Sequence, residues 1–581
     1  MRISKFAGIQ SFHDGMSVSE YTNMIPLEES CIDRVGEKIL YDRLRKSQII
    51  NTFIDSQKNI YIATTKDVIR LYYNPIRKQW KRGSFVAPWS DSFDFKYIDG
   101  ESRTISNVTF CESTTKPSQV FMCDGQYVYY WNTSRIVPDD AFTSIQETWP
   151  DEHYELRVDA FTANLLPLGD FTDINSRISF RDTTPGIESG YGYGWWPNLY
   201  DGTWQPFTDN YVGSLWNVSS ITWYENRLVC VQKDKNTVRL SAIRPDRWII
   251  PTYDNMRQIW EPYQIYTITD NDISSKQYCF VPHAYISTAS SALLQDAVSF
   301  AGQLYFLNDT TIEIWTNTYN EDAPIQHNSL STIHYGGRSP CIVADAMYLI
   351  CKDTWHNDFI AMIGTNGQMQ RISNDEIEKR IAGRGAIIRP ISVRDNSFIV
   401  VYCSDPIVNV DLRCGYSVTK AGKWWTYENR YVTDHAFAVW SVATIDGVQI
   451  DVGNHGELIA QDQNSRLHVD GSTILRFVRG CFTQLPGRVI VRNVEVVCDT
   501  GVSFIPQVAN APIKRGSLYL RLSFDRGMSF GKYLYRPLGE PGKNDARVVW
   551  RNCGSGNSFL LEFGTSDNVR FQLYEIDFDL Q

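Results

Sequence analysis

Through most of the chain, apolar and polar residues alternate with a period of two, in short runs that come in pairs joined by Gly, Asn or Asp. That period sets successive side chains on opposite faces, which predicts strands and hairpins. One unit returns: a strand, a tight turn, a second strand, then a polar bend. It covers 51–73, 118–132, 219–243, 296–316, 340–364, 390–412 and 438–462. The turn residues Gly302, Ala346, Asn396 and Gly447 stand 44, 50 and 51 residues apart. Such a spacing suits one four-stranded blade of a β-propeller. A lone blade exposes an apolar face, and stacking around an axis buries it, so six or seven blades are the natural closure. The competing reading is a series of unrelated hairpins in sandwich domains.

Breaks in the rhythm divide the chain. The propeller is expected over 51–133 and 216–465, interrupted by an aromatic, Gly-rich insertion at 134–215 that would project from one face. In "GYGYGWWPNLYDGTWQPF" (190–207), Trp195, Trp196, Tyr200 and Trp204 could stack on sugars, hold a partner, or pack the loop against itself. After residue 465 the rhythm stops, and alternating strands at 488–502, 546–554, 557–565 and 569–580 predict a C-terminal antiparallel β-sandwich over 466–581. Residues 1–50 form an N-terminal segment expected to supply strands facing a platform or adaptor. Helix is scarce. The best candidate is "SNDEIEKRIAG" (373–383), with Ser373 or Asn374 as the cap and acids in the first turn. The class is therefore mainly β: a propeller, an inserted loop-rich subdomain and a sandwich.

Composition changes this picture in what it excludes. The 581 residues carry 17 Trp and 32 Tyr, which favour sheets, and a net charge of −10. An acidic balance argues against a surface that grips DNA by releasing counterions, though not against a wall that DNA slides past. The start, "MRISKFAGIQSFHDGMS", lacks a signal-peptide core, and no run of about 18 apolar residues predicts a membrane span. The 12 Cys contain no C-x-x-C, and the nine His no H-E-x-x-H, so metal and redox sites are not expected. Most cysteines read as reduced, small hydrophobes in strands. No Walker loop and no G-x-S-x-G occurs, and neither a catalytic residue nor a cofactor is assigned.

One hairpin carries a motif. In "SLYLRLSFDRGMSFGKYLYRPLG" (517–539), Leu518, Leu520 and Leu522 alternate before the turn, Tyr533 and Tyr535 after it. Ser523, Asp525, Gly527, Ser529 and Phe530 resemble the Asp-box of sialidase-type propellers. Such boxes are turn devices. The Asp is expected to accept backbone N–H groups two or three residues on, Gly527 to take positive φ, and Phe530 to fold onto the apolar side. A single copy, outside the blade repeats, argues against a sugar-cleaving propeller.

The same stretch, continued to residue 554, resembles the closing domain of the tail nozzle, tail-hub or packaged-DNA stabilisation proteins of short-tailed bacteriophages. In that family S-x-D-x-G is followed by a Leu-Gly-x-x-Gly turn and an Arg-rich strand ending Trp-Arg-x-x-Gly. Here these are Ser523, Asp525 and Gly527, then Leu538, Gly539 and Gly542, then Arg547, Trp550, Arg551 and Gly554. A second likeness joins "VSFAGQLYFLNDTTIEIWTNT" to "GQMQRISNDEIEKRI", through Gln370, Arg371, Ile372, Ser373, Ile377 and Glu378. "NLYDGTW" (198–204) is similar to a third family segment, with Asp201 where Asn-Gln is usual. The resemblance is fullest over 290–581. It implies a structural protein of the virion, assembled in the host cytoplasm as a cyclic ring, usually of six copies. Its partners would be a connector ring above and tail fibre or tip proteins, with weak, non-specific contact to genomic DNA that the ring retains and conducts. The alternative is a glycan-binding or sialidase-like propeller.

Overall fold

The computed structural model describes residues 2–3, 16–27, 31–41, 49–64, 67–74, 79–86, 107–114, 119–125, 128–132, 166–168, 218–233, 236–240, 252–254, 259–261, 285–286, 292–320, 324–328, 332–393, 396–403, 412–417, 424–427, 438–445, 448–453, 458–468, 471–482, 487–499, 516–525, 527–540 and 547–581. Seven sheets follow one another, each opening on a strand nearest the axis. These inner strands are Ile49–Ile54, Thr109–Glu112, Val218–Tyr224, Leu294–Phe300, Gly336–Val343, Ile387–Val393 and Ala438–Ile445. Each adjoins the next, and the seventh adjoins the first. Among the described residues the blade count is seven, the upper of the two expected closures.

Local chemistry sets each blade. The inner hairpins turn on two residues at positive φ, Glu225 and Asn226 (47° and 61°) or Ala301 and Gly302 (50° and 73°). Such turns match the twist of paired strands. The second strand of a blade is buried on both faces: Arg227–Gln232 and residues 304–308 are buried throughout. The reason is stacking. Tyr224, Val229 and Val231 of blade three meet Leu304, Phe306 and Trp315 of blade four, while Tyr305 and Leu307 meet Met347 and Leu349 of blade five.

The ring closes with a strand from the other end of the chain. Gly36–Tyr41 pairs antiparallel with Leu458–Asp462 as the fourth strand of blade seven. Gly36 enters against backbone: its N–H donates to Ser465 O at 2.7 Å, and a Cβ there would stand 2.7 Å from the Ser465 carbonyl carbon.

The second unit is a two-sheet sandwich. One sheet orders Met24–Pro26, Cys31–Asp33, Gln572–Leu580, Val489–Cys498 and Val548–Gly556, with Arg2–Ile3 also paired to Gln572–Leu580. The other orders Met16–Thr22, Arg476–Phe482, Phe559–Thr565, Ser517–Ser523 and Leu534–Pro537. Leu518, Leu520, Leu561 and Phe563 pack across to Val494, Val496, Trp550, Ile576 and Phe578. This second sheet continues into the propeller, because Thr22 pairs parallel with Thr426 on the outer strand of blade six. Residues 1–50, expected to face a platform, thus have their described strands paired within the chain: up to Asp33 in the sandwich, from Gly36 in the propeller.

A buried ion cluster pins that junction. Asp33 accepts from Arg466 and, at 2.9 Å, from Arg476, all three side chains being at most 1% exposed. The Phe571 N–H also donates to Asp33, at 3.0 Å, and Arg476 donates to Val569 O at 2.7 Å. Burial lowers the Arg476 guanidinium to about 10 against the pull of Asp33.

Candidate functional site

Within the 517–539 hairpin, Asp525 is a hub for the turn. It accepts from Ser523 Oγ and Ser529 Oγ, and from the Ser529 N–H at 2.9 Å. The backbone donor is thus four residues on, beyond the two or three expected. The Gly527 N–H donates to Ser523 Oγ at 2.9 Å, and Gly527 stands at φ 89°. The hydrogen bonds from Ser523 and Ser529 hold the Asp525 carboxyl down at about 2. Further along, Gly539 stands at φ 96°, and buried Trp550 donates Nε1–H to Leu534 O at 2.7 Å, bracing strand against strand. Gly542 lies outside the described residues.

Phe530 does not join the sandwich core. It lies on the outer face, with the Arg521 guanidinium 4.4 Å and the Arg479 guanidinium 5.2 Å from its ring centroid. Both arginines converge on Glu562, which is 1% exposed: Arg479 Nη2 at 2.6 Å, Arg521 Nε at 2.6 Å and Nη2 at 2.9 Å. Burial pushes the Glu562 carboxyl up, but the two guanidinium groups outweigh it and hold it below the usual range. Tyr519 caps the cluster, with Tyr533 edge-on at 5.0 Å and Tyr535 at 6.2 Å. Sequence reasoning missed this assembly. Its signal was a charge alone among apolar neighbours at outward strand positions, in Leu-Arg-Leu at 520–522 and Leu-Glu-Phe at 561–563.

The Gln370–Glu378 motif is a brace for blade five. Arg371 Nε reaches Glu378 Oε1 at 2.7 Å, and Ser373 Oγ donates to the same carboxylate at 2.7 Å. Helix α1 (Asp375–Ile381) is capped by Asn374, whose side chain accepts from the Ile377 N–H at 3.0 Å. Ile377 and Ile381 fill the space between blades five and six, and Trp424 Nε1–H donates to Ile372 O at 2.9 Å.

Around the axis neighbouring blades are sewn together by polar side chains. Asn51 Nδ2 donates to Val108 O at 2.5 Å, Thr109 Oγ1 accepts from the Ile221 N–H at 3.3 Å, and Ser220 donates to Asp296. Ser339 Oγ accepts from the Ile388 N–H at 3.0 Å, and Gln449 Oε1 from the Ser392 N–H at 3.0 Å. Asn51, Ser220 and Asp296 each follow a register shift, which turns the side chain toward the neighbouring blade. Arg389 of blade six reaches past blade seven to Asn51 of blade one, at 2.8 Å. Strands two places apart in a ring of seven are thus within one arginine's reach.

Trp195, Trp196, Tyr200 and Trp204 lie outside the described residues. Cys31, Cys111, Cys123, Cys230, Cys341, Cys351, Cys498 and Cys553 are unbridged, and burial pushes the Cys351 thiol up to about 12. Among the described residues no group of His, Cys, Asp or Glu gathers as a metal site, and no helix is long and apolar enough to cross a membrane.

Comparison with known proteins adds a family. No curated protein matches the chain. Among solved structures, a catalytically inactive virginiamycin B lyase from Staphylococcus aureus with quinupristin is 9% identical, with a TM-score of 0.36, covering 74% of this chain and 99% of that one. A streptogramin B lyase is 8% identical, with a TM-score of 0.36, covering 73% of this chain and 97% of that one. At that distance the lyases carry no argument. Residues 296–459, from the inner strand of blade four to the third strand of blade seven, match the phage stabilisation family described as bacteriophage P22 Gp10, beta-propeller. That match supports the tail nozzle and DNA-stabilisation family that the sequence resembles, and with it a structural role in a phage virion.

Proposed function

We propose that this chain is one subunit of a ring-shaped nozzle at the tail of a short-tailed phage. The ring would sit below a connector, help retain packaged DNA and conduct it during ejection. The observation that carries this reading is the family match over blades four to seven. The conduit would be formed between copies arranged about a common axis, with the Arg389–Asn51 contact tying blades six and one within each copy. A net charge of −10 suits walls that repel phosphates and let DNA slide. Catalysis has no part in this role.

The test is antibody-gold labelling of purified particles, viewed by negative-stain electron microscopy, alongside particles made without this protein. Gold at the distal end of a short tail, and DNA leaking from particles that lack the chain, is the expected result. Gold on lateral spikes only, or particles that retain DNA without the chain, would overturn the nozzle role.

A further inference from the structure

Charge is shared unevenly among the blades. Residues 294–327 of blade four and 438–462 of blade seven contain acids and no Lys or Arg. The outer half of blade one is the reverse. There "TKDVIRLYYNPIRKQWKRGSFV" (65–86) carries six Lys and Arg against Asp67 alone, a net +5 inside a chain of net −10. The other acid of this blade, Asp55, is engaged in the turn between the first two strands. It accepts from the Asn59 N–H at 2.8 Å and from Asn59 Nδ2 at 2.7 Å. The acidic balance of the whole chain conceals this local excess.

The fold sets that charge on the rim. Asp67–Asn74 and Gln79–Val86 are the third and outermost strands of blade one, paired over all eight residues. The outermost strands of the other blades run two to six residues. Among the described residues Gln79–Val86 pairs on one side only. The register puts Arg70 opposite Gly83 and Lys81 opposite Tyr72, on one face, and Arg82 opposite Leu71, on the other. Basic residues also guard an open edge against pairing with another sheet. A guard works with either sign, however, and this chain has more acids than bases. One sign on both faces of a strand pair fits a polyanion instead. The major groove of duplex DNA admits a two-stranded ribbon and flanks it with phosphates on both sides.

We propose that the outer hairpin of blade one, through Arg70, Lys81 and Arg82, holds the phosphate backbone of duplex DNA without regard to sequence. The proposal rests on the nozzle reading above and sets which side of the subunit faces the conduit. It also divides the work: this rim grips packaged DNA, and the acidic remainder lets it slide. Contacts to phosphate position a duplex and carry no base information. Each one releases counterions, so the grip weakens as salt rises.

The test is fluorescence anisotropy of a labelled duplex of mixed sequence, titrated with the full chain over a series of KCl concentrations. The wild type is compared with a triple variant, Arg70→Gln with Lys81→Gln and Arg82→Gln. The wild type should bind, with log affinity falling linearly against log salt. The triple variant should bind at least about tenfold more weakly at low salt, with a slope shallower by about 2 to 3. Arg70→Lys with Arg82→Lys keeps the charge and should restore both. If circular dichroism shows the triple variant unfolded, Lys81→Gln alone should flatten the slope by about 1. A wild type that binds no duplex at low salt, or a folded triple variant of unchanged slope, would overturn the assignment. So would polyglutamate bound more tightly than the duplex, which marks an acidic protein as the occupant. These outcomes leave the nozzle reading standing where gold marks the tail tip. Gold absent from tails would overturn that reading and the retention role, whatever the chain binds in solution.

Discussion

The propeller and the sandwich solve the same problem, burying the apolar faces of sheets, with different polar chemistry. Around the propeller axis the connections are mostly neutral: Asn51, Thr109, Ser220, Ser339 and Gln449 each tie one blade to the next. The sandwich and its junction rely on charge, with Asp33 between Arg466 and Arg476, and Glu562 between Arg479 and Arg521. Seven similar blades need only a short bond to the neighbour. The junction must join segments more than 430 residues apart, and removing one partner of a buried ion pair leaves an uncompensated charge. The difference teaches that register is set locally within the blades, the closing strand Gly36–Tyr41 excepted, and globally in the sandwich.

That contrast can be broken from the largest effect downward. Removing residues 1–41 takes away the fourth strand of blade seven and four strands of the sandwich, Arg2–Ile3, Met16–Thr22, Met24–Pro26 and Cys31–Asp33. The expected outcome is loss of cooperative unfolding, read by circular dichroism in urea. A truncated chain that still melts in one sharp transition would mean the ends are dispensable. Next, Asp33→Asn leaves two buried guanidinium groups without their carboxylate. It should cost about 3–5 kcal/mol, read as a lower urea midpoint at unchanged slope.

A pH experiment separates the two regions more finely. Burial raises the Asp296 carboxyl from its ordinary 3.8 to about 6, against the hydrogen bond from Ser220. Between those values the folded chain holds a proton that the unfolded chain has released. Asp296 therefore makes stability fall as pH rises from 3.8 to about 6, and Asp296→Asn should flatten that slope. Asp525 runs the other way. Its carboxyl is lowered, so its contribution is complete above the ordinary value and fades as pH falls toward about 2. Asp525→Ala should give the smallest change of the series. A small rise in hydrogen exchange at Ser529, with the urea midpoint almost unmoved, is expected. A large shift in that midpoint would show that the turn holds more than itself.

Much of the fold was legible because it is local. Alternation in 296–316 and its successors marked the hairpins, the 44 to 51 residue spacing marked the blade, and "SNDEIEKRI" marked helix α1 with Ser373 or Asn374 as its cap, of which the structure uses Asn374. The Asp-box was legible as a turn because its partners lie within four residues of one another. Gln370–Glu378 was visible as a motif, but its work as a brace became clear only when Arg371, Ser373 and Glu378 met around the helix start.

By itself, then, the sequence determined what repeats and what turns: mainly β structure, blades recurring every 44 to 51 residues in the second half of the propeller, a sandwich after them, and a hairpin shaped by Asp525 and Gly527. Tertiary structure alone decided the count of seven, the closure of the last blade by Gly36–Tyr41, and the entry of residues 16–33 into a sandwich otherwise built from the far end of the chain. It also decided that Arg479, Arg521 and Glu562 share one site. The physical reason is separation. A period records contacts between neighbours in the chain, whereas a strand's partner hundreds of residues away is chosen by which apolar face and which buried charge remain to be satisfied once the local pieces have formed.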